Sequence, residues 1–337
     1  MDSPDSNNAN TKNNFPSNGK GSCVFCGIDD YIYKYNTSDI YGNQYTINKC
    51  NSCHACFLDF QGDKDRLNEI YDDSYYGEQE EKFSSSNVEK TLDFFRKHRA
   101  KRLSSFLRDN NNILDVGCGN GRFLMFLQEK GKYFIFGTEL EGKAVKRASG
   151  IPGLKLKTGP LEKNDFNQDF FSAVTMFHVF EHLNNPMEVL KIISDIIKDD
   201  GIFMVSFPNI SSIQSKLFKG KWLHLDPPRH LFYFAPGDFI KLMSSYGFKL
   251  IRYKTFSVEM NPFGMVQSIL NCLFSKRDVL FERMKGNYKY GSNYSRLNII
   301  FQKLFLAIGF PLFVVTDFLA SLFKKGATVE YIFRKLD

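Results

Sequence analysis

The chain has 337 residues, room for one large domain with a small appendage or for two ordinary domains. Hydrophobic residues make up 43% of it, with 35 Phe, which is enough for a packed core. Lys and Arg (44) outnumber Asp and Glu (37) for a net charge of +7, but the signs are well mixed, a mild bias towards anionic partners rather than a nucleic-acid-binding signature.

Residues 1–20 are polar and poor in apolar anchors, so a disordered tail is expected there, and no apolar run after Met1 suggests a secretory signal. Five of the seven cysteines fall between Cys23 and Cys56. Without a signal, disulfides are not expected, and metal binding is the better account. Cys23-Val-Phe-Cys26 and Cys50-Asn-Ser-Cys53 each offer two thiolates, and four thiolates close a tetrahedral zinc site with no position left for water. Gly27 suits the tight knuckle turn, and "YIYKY" and "QYTIN" read as a hairpin between the pairs. Residues 21–62 are therefore expected to form a zinc ribbon in which Cys23, Cys26, Cys50 and Cys53 hold a structural ion. His54 and Cys56 crowd the second knuckle as substitute ligands. So small a lobe needs its metal to fold.

A helical pattern covers Asn87 to Leu107, and "NILDV" follows as a strand. After the turn Gly117-Cys118-Gly119-Asn120-Gly121, "RFLMFLQEKG" reads as a helix ending at Gly131. Strand and helix then alternate: "YFIFGTEL", "EGKAVKRAS", "LKLKT", "FSAVTMFHV", "PMEVLKIISDIIKDDG" and "IFMVSFPN". The helix in "PMEVLKIISDIIKDDG" has Pro at its start and Gly past its end. "FKLIRYKTF" and "TVEYIFRK" supply two further strands. The alternation predicts an α/β fold, Rossmann-like, with a mainly parallel seven-stranded sheet covered on both faces. Its domain would span residues 63–256 and 327–337, interrupted by an apolar helical insertion at 257–326.

Ligands of such sheets sit beyond the carboxyl ends of the strands, where the glycine turn lies. A dinucleotide fingerprint would need glycine at position 122, which is Arg122. Glu139 stands 20 residues after Gly119, at the end of the second strand, where a carboxylate can take both hydroxyls of a ribose. The motifs "LDVGCGNG", "FGTELEGKAV", "GPLEKNDF" and "MFHVFEHLNNP" resemble those of the class I S-adenosylmethionine-dependent methyltransferases, over roughly Leu92–Phe256 plus the last strand. The resemblance implies that Gly117 and Gly119 carry the methionine part of the cofactor and Glu139 the ribose. Asp115 would shape the turn, with Pro160 and Leu161 near the adenine and Cys118, Gly121, Leu140 and Phe177 beside them. Ser172 stands where that family often has Asp, a departure that touches packing.

The fourth strand of the domain runs into His178-Val179-Phe180-Glu181-His182. A zinc peptidase would need this motif on a helix, and here it leaves a strand. Three readings stay open: a histidine acts as general base for an acceptor hydroxyl; His178, Glu181 and His182 hold a divalent cation such as Mg2+; or Glu181 and His182 only orient the next helix. The cation reading is implied by a resemblance to ubiquinone-pathway O-methyltransferases, which have an acid where this chain has His178. In "WLHLDPPRHLFYFAP", Trp222, Phe232 and Tyr233 are expected to offer flat faces to a ring-shaped acceptor. "HLFYF" resembles a segment of deoxysugar C-methyltransferases that also carry a zinc lobe, which nominates His230 as catalytic. Arg229 replaces their adjacent Glu, and Pro228 or its neighbours their Tyr. Carbon methylation needs a base able to make an enolate, so these departures favour oxygen methylation, where an imidazole takes the proton as the methyl arrives.

Within the insertion, the uncharged core Leu304–Thr316 is 13 residues, short of the roughly 20 that cross a bilayer, and Pro311 and Asp317 interrupt it. Lys303, Lys324 and Lys325 flank it, so a helical hairpin lying in the membrane interface, or a lid opening to lipid, is expected; the alternative is an extra helical layer packed on the domain or on a second subunit. The expected function is methylation, with S-adenosylmethionine, of a sugar, glycan or lipid-linked acceptor, in the cytoplasm or on the inner face of its membrane. Sugar C-methylation and a non-catalytic zinc-ribbon binding module are the alternatives. Nucleic acid is disfavoured as a partner, because residues 23–60 lack a dense Lys/Arg stripe. Oligomeric state and the acceptor's identity are not legible.

Overall fold

The computed structural model describes residues 22–59 and 86–336. The expected tail at 1–20 and the junction between ribbon and domain lie outside the described residues. The strands are β1 (Tyr31–Ser38), β2 (Gln44–Cys50), β3 (Cys56–Asp59), β4 (Asn112–Val116), β5 (Phe134–Glu139), β6 (Lys155–Thr158), β7 (Phe171–Phe177), β8 (Ile197–Pro208), β9 (Phe232–Tyr233), β10 (Phe248–Lys254) and β11 (Thr328–Lys335). The helices are α1 (Ser86–Ser104), α2 (Arg122–Gln128), α3 (Lys143–Ala148), α4 (Pro186–Ile196), α5 (Ile213–Phe218), α6 (Pro236–Ser245), α7 (Asn261–Leu273), α8 (Val279–Met284) and α9 (Arg296–Leu322).

Seven strands form one sheet in the order β10-β11-β8-β7-β4-β5-β6, with β11 antiparallel to both neighbours and the pairs from β8 to β6 parallel. Side-chain alternation assigns the two faces, as a pleated strand must. Leu114, Phe203, Val205 and Tyr331 enter the core under α4 and α6, while the interleaved Ile113, Ile202, Met204 and Ile332 enter the core under α1 and α2. This is the expected α/β fold with a mainly parallel seven-stranded sheet.

Several boundaries differ from the sequence reading; α2, for one, ends at Gln128 and not at Gly131. The helix beginning at Pro186 stops at Ile196 instead of running on to Gly201, because Ile197 is already extended and pairs with Phe171. Lys198, Asp199 and Asp200 then form an exposed irregularity in β8. The second apolar segment of the insertion is one unbroken 27-residue helix, α9, with Pro311 inside it, so neither Pro311 nor Asp317 interrupts it.

The cysteine lobe is stitched to the domain. Its strands join β9 in a second sheet ordered β1-β2-β3-β9, with Cys56 opposite Tyr233 and Phe57 opposite Phe232. Phe25, inside the first knuckle, packs edge-on against Phe232 at 5.3 Å and Phe234 at 4.8 Å, and touches Phe180. Lobe and domain therefore share one apolar core.

Candidate active site at the carboxyl edge of the sheet

The turn after β4 has positive φ at Gly117 (69°) and Gly119 (58°). A Cβ on Gly117 would stand 2.4 Å from Val179 Cγ2, so glycine lets the segment leaving β7 close against the turn. Gly119 faces open space, with nothing within 4 Å of where a Cβ would be. Its amide donates to Glu139 Oε2 at 2.6 Å, and the Leu140 amide donates to Oε1 at 3.0 Å. The result is a buried carboxylate fixed beside a half-buried glycine backbone with open space next to it, which suits a ligand carrying a diol next to a compact charged group.

Asp115 lies beneath the turn and accepts from the Thr175 hydroxyl at 2.6 Å. Burial pushes its carboxyl up to about 7 against that hydrogen bond. Cys118 is buried against Gly137, and burial raises its thiol, as for a packing residue. Leu161 is buried. Pro160 is exposed, and its carbonyl accepts from Lys157 Nζ at 2.9 Å. Phe177 packs edge-on against Phe123 at 5.1 Å and lies under the Arg99 guanidinium at 5.2 Å.

The histidines converge on Glu181, which is 1% exposed and accepts no hydrogen bond at either oxygen from the described residues. The imidazole nitrogens nearest to it are His178 Nδ1 at 3.6 Å and His230 Nε2 at 3.8 Å. Burial alone would raise this carboxyl; the three surrounding imidazoles outweigh it and hold the group at about 2. His182 packs on His230 with ring centroids 4.5 Å apart, and burial lowers it to about 4, with His230 adding to the effect. Both rings are oriented by backbone carbonyls: His182 Nδ1 lies 3.0 Å from Arg229 O, and His230 Nδ1 lies 2.9 Å from His224 O. The Leu231 amide donates to the Glu181 carbonyl at 2.9 Å, and the Leu58 amide of the cysteine lobe donates to the Leu231 carbonyl at 2.8 Å. The lobe thus holds the segment leading into β9, on which His230 lies.

Glu181, His182 and His230 bring one ligand atom each within 4.8 Å of one another, so His230 rather than His178 completes the group that could hold an ion. Two imidazoles and one carboxylate do not match Mg2+, which takes oxygen ligands in octahedral geometry. The four cysteines do match zinc. Cys23 and Cys53 sulfurs are 3.7 Å apart, and those of Cys26 and Cys50 are 3.6 Å apart. A tetrahedron with Zn–S bonds of about 2.3 Å requires about 3.8 Å, whereas a disulfide needs about 2 Å. His54 and Cys56 are not in this cluster. Cys56 faces Trp222 in a separate core, where burial lifts its thiol to about 11.

A cavity of about 510 Å3 opens at the same edge. His178, Ser206, Lys254 and Glu330 line it from the sheet, Phe94, His98, Arg99 and Arg102 from α1, and Phe256, Ser257 and Glu259 from the loop after β10. His178 carries a positive φ of 55° at this wall. Arg102 pairs with Glu330 at 2.8 Å, and Arg99 pairs with Glu259.

Residues 89–253 match the family described as a methyltransferase domain. They form a class I S-adenosylmethionine-dependent methyltransferase domain. An uncharacterized protein of Methanocaldococcus jannaschii is 28% identical over 109 residues, 32% of this chain and 41% of the relative. A tRNA U34 carboxymethyltransferase of Pseudomonas fluorescens is 28% identical over 99 residues, 28% of this chain and 31% of the relative. The chain thus spans about two-fifths or less of these relatives. Among solved structures, a Haemonchus contortus phosphoethanolamine N-methyltransferase 2 in complex with S-adenosyl-L-methionine aligns at 13% identity, covering 71% of this chain and 53% of that one, with a TM-score of 0.47. An Archaeoglobus fulgidus SAM-dependent methyltransferase aligns at 17% identity, covering 72% and 94%, with a TM-score of 0.44.

Within the methyltransferase domain, His230, which the sequence reading placed in a separate cluster, comes together with His178, Glu181 and His182. The expected aromatic faces do not. Trp222, Phe232 and Tyr233 are at most 1% exposed, because β9 is paired with β3 and Trp222 is sunk in the core beneath the lobe. The cavity takes its rings from Phe94, Phe95 and Phe256 instead. The interleaved Phe and Arg of "DFFRKHRAKR" in α1 were the available signal, and periodicity alone assigned them to an ordinary amphipathic helix.

Proposed function

We propose that this methyltransferase transfers a methyl group to an oxygen of a sugar, glycan or lipid-linked intermediate, with His178 as the base that meets the acceptor. The observation that carries this reading is His178 on the cavity wall with Nδ1 3.6 Å from the buried carboxylate of Glu181, which His230 approaches at 3.8 Å. Glu181 orients the ring and stabilises its imidazolium form as the other nitrogen takes the acceptor's proton. His230 and His182 hold Glu181 from behind. Gly117, Gly119 and Glu139 would hold S-adenosylmethionine, with Asp115, Cys118 and Gly121 shaping the turn and Leu140, Pro160, Leu161 and Phe177 flanking it. That cofactor supplies an electrophilic methyl carbon; the chain aligns the acceptor and removes its proton.

Four Lys or Arg side chains (Arg99, Lys101, Arg102, Lys254) against two acids (Glu259, Glu330) line the cavity, together with His98 and His178, which supports an acceptor bearing a negative charge. The four-cysteine lobe carries a structural zinc ion, and metal-bound thiolates fit a cytoplasmic enzyme. The match to a tRNA-modifying relative covers about a third of each protein and gives no reason to prefer RNA. One observation favours sugar C-methylation as the second reading. Glu181 places a carboxylate 3.8 Å from His230, supplying from the turn after β7 the acid missing beside it in sequence.

Calorimetric titration with S-adenosylmethionine is expected to show binding that Glu139→Ala weakens at least about tenfold, as loss of a carboxylate–diol contact should. His178→Asn is expected to cut transfer of labelled methyl to glycan and lipid extracts by about 10²–10⁴ while leaving that binding intact. Equal losses of binding and transfer in His178→Asn would remove His178 from the role. Carbon NMR of the isolated product separates O-methyl from C-methyl.

A further inference from the structure

The insertion between β10 and β11 is built inside out. Its long helix α9 reaches a mean hydropathy of 2.0 over 18 residues, yet only 11% of that window is buried. A core helix of that composition would be mostly covered, and a surface helix would turn its apolar stripe inward. Here the buried residues of the helix are Gln302, Gly309 and Asp317. Leu297, Leu304, Ile308, Leu312, Val315 and Leu319 recur at helical spacing on the outer side, each more than half exposed. The stripe runs the length of the helix, about 40 Å at 1.5 Å per residue, far more contiguous apolar surface than a solvent-facing helix carries.

Charge singles out what covers this face. Between Lys276 and Lys325 stand nine Lys or Arg and three Asp or Glu. All three acids, Asp278, Glu282 and Asp317, are buried, whereas Lys276, Lys289, Arg296, Lys303 and Lys324 are exposed. Every exposed charge of the insertion is therefore positive. Two copies apposed through this face would bring like charges together, while an anionic lipid surface would meet both the apolar stripe and its basic rim.

We propose that α9 lies in the interfacial layer of an anionic bilayer with its Leu304–Ile308–Leu312 side among the acyl chains. Its length and composition suffice to cross a membrane, but its packing keeps it in plane. Phe305, Leu306 and Phe313 pack against Val266, Leu270 and Leu280 of the two preceding helices. Asp317 accepts from Asn261 Nδ2 at 2.9 Å and from the Ser257 amide at 3.3 Å. A crossing orientation would drag α7, with its buried Asn261, Gln267 and Asn271, into the hydrocarbon. Ser257 also lines the cavity, so the lipid-facing helix is hydrogen-bonded to the wall of the acceptor site. This inference stands whether or not the methyl-transfer chemistry proposed above is right.

Flotation of the full chain through a density gradient without detergent tests it. The protein is expected to rise with phosphatidylcholine vesicles that contain phosphatidylglycerol and far less with phosphatidylcholine alone. Ile308→Glu/Leu312→Glu should lower the bound fraction at least about tenfold. Arg296→Glu/Lys303→Glu should remove most of the preference for the anionic vesicles, both variants melting like the parent. If the parent stays at the bottom with both vesicle types, or floats as well with Ile308→Glu/Leu312→Glu, the proposal is overturned. It is equally overturned if the parent elutes as a dimer that the same variant makes monomeric, which would assign the face to a second copy.

Discussion

The methyltransferase domain carries two appendages that treat their apolar residues in opposite ways. The cysteine lobe turns inward: Phe25 enters the main core, and β3 gives its edge to β9, one residue from Leu231 and two from His230. The helical insertion turns outward: Gln302 and Asp317 are among the buried residues of α9, and most of its leucines are exposed. The direction in which a module buries its apolar surface separates a part of the catalytic edge from a contact with the surroundings. Hydropathy alone does not, since both segments are rich in aromatic and aliphatic residues.

If the lobe is integral and its four cysteines hold the zinc ion proposed above, metal loss must be felt everywhere. A chelator strong enough to strip zinc, or Cys26→Ser/Cys50→Ser, is expected to destabilise the whole chain cooperatively, the largest effect of this set, because metal binding supplies folding energy to a lobe that shares the domain core. Trp222, the single tryptophan, is buried under the lobe, so its fluorescence and the far-ultraviolet dichroism should melt together. Two separate transitions would make the lobe an independent unit and break the comparison. Next in size, Phe25→Ala is expected to cost about 3–5 kcal/mol, as for a buried ring in a shared core, measured by denaturant unfolding with zinc saturating.

The domain between the appendages gives a reference of its own. Asp115 is held near 7 when folded, against an ordinary value of 3.8, by burial. The folded chain therefore keeps a proton that the unfolded chain releases, so stability falls as pH rises through the window between those values. Asp115→Asn removes this slope: relative to the variant, the parent should lose about 2 kcal/mol between pH 5 and 7, read from unfolding at several pH values. A parallel pH dependence in the two proteins would show that Asp115 is not buried in the way its contact with Thr175 implies.

Much of this arrangement was legible in sequence where one local rule governs. Strand–helix alternation, the glycine spacing with Glu139 at the next strand end, and the paired C-x-x-C motifs each depend on neighbours in the chain. What escaped depends on pairing across long separations. Phe232 and Tyr233 read as loop aromatics open to an acceptor until β3, more than 170 residues earlier, takes up the edge of that segment. Glu181 meets His230 only because the edge of β7 and the segment before β9 close on each other. Pro311 looked like a helix end, yet α9 passes through it: Thr316, Asp317 and their neighbours complete a helix tied down by Asn261. The cavity-lining role of α1 needed the positions of β10 and β11, which no periodicity in α1 contains.

The smallest expected effects sharpen the comparison most, because they reverse a familiar asymmetry. On an ordinary helix, replacing a buried leucine is costly and replacing an exposed polar residue is cheap. On α9, Leu312 is 59% exposed, so Leu312→Gln is expected to change unfolding stability in lipid-free buffer by no more than about 0.5 kcal/mol. Asp317 is 4% exposed and accepts from Asn261 and Ser257, so Asp317→Ala strands buried donors and is expected to cost about 1–3 kcal/mol. Denaturant unfolding of the two variants side by side measures the inversion. The opposite ranking would mean that the leucine face is covered in solution and that the insertion, like the cysteine lobe, buries its apolar surface inward.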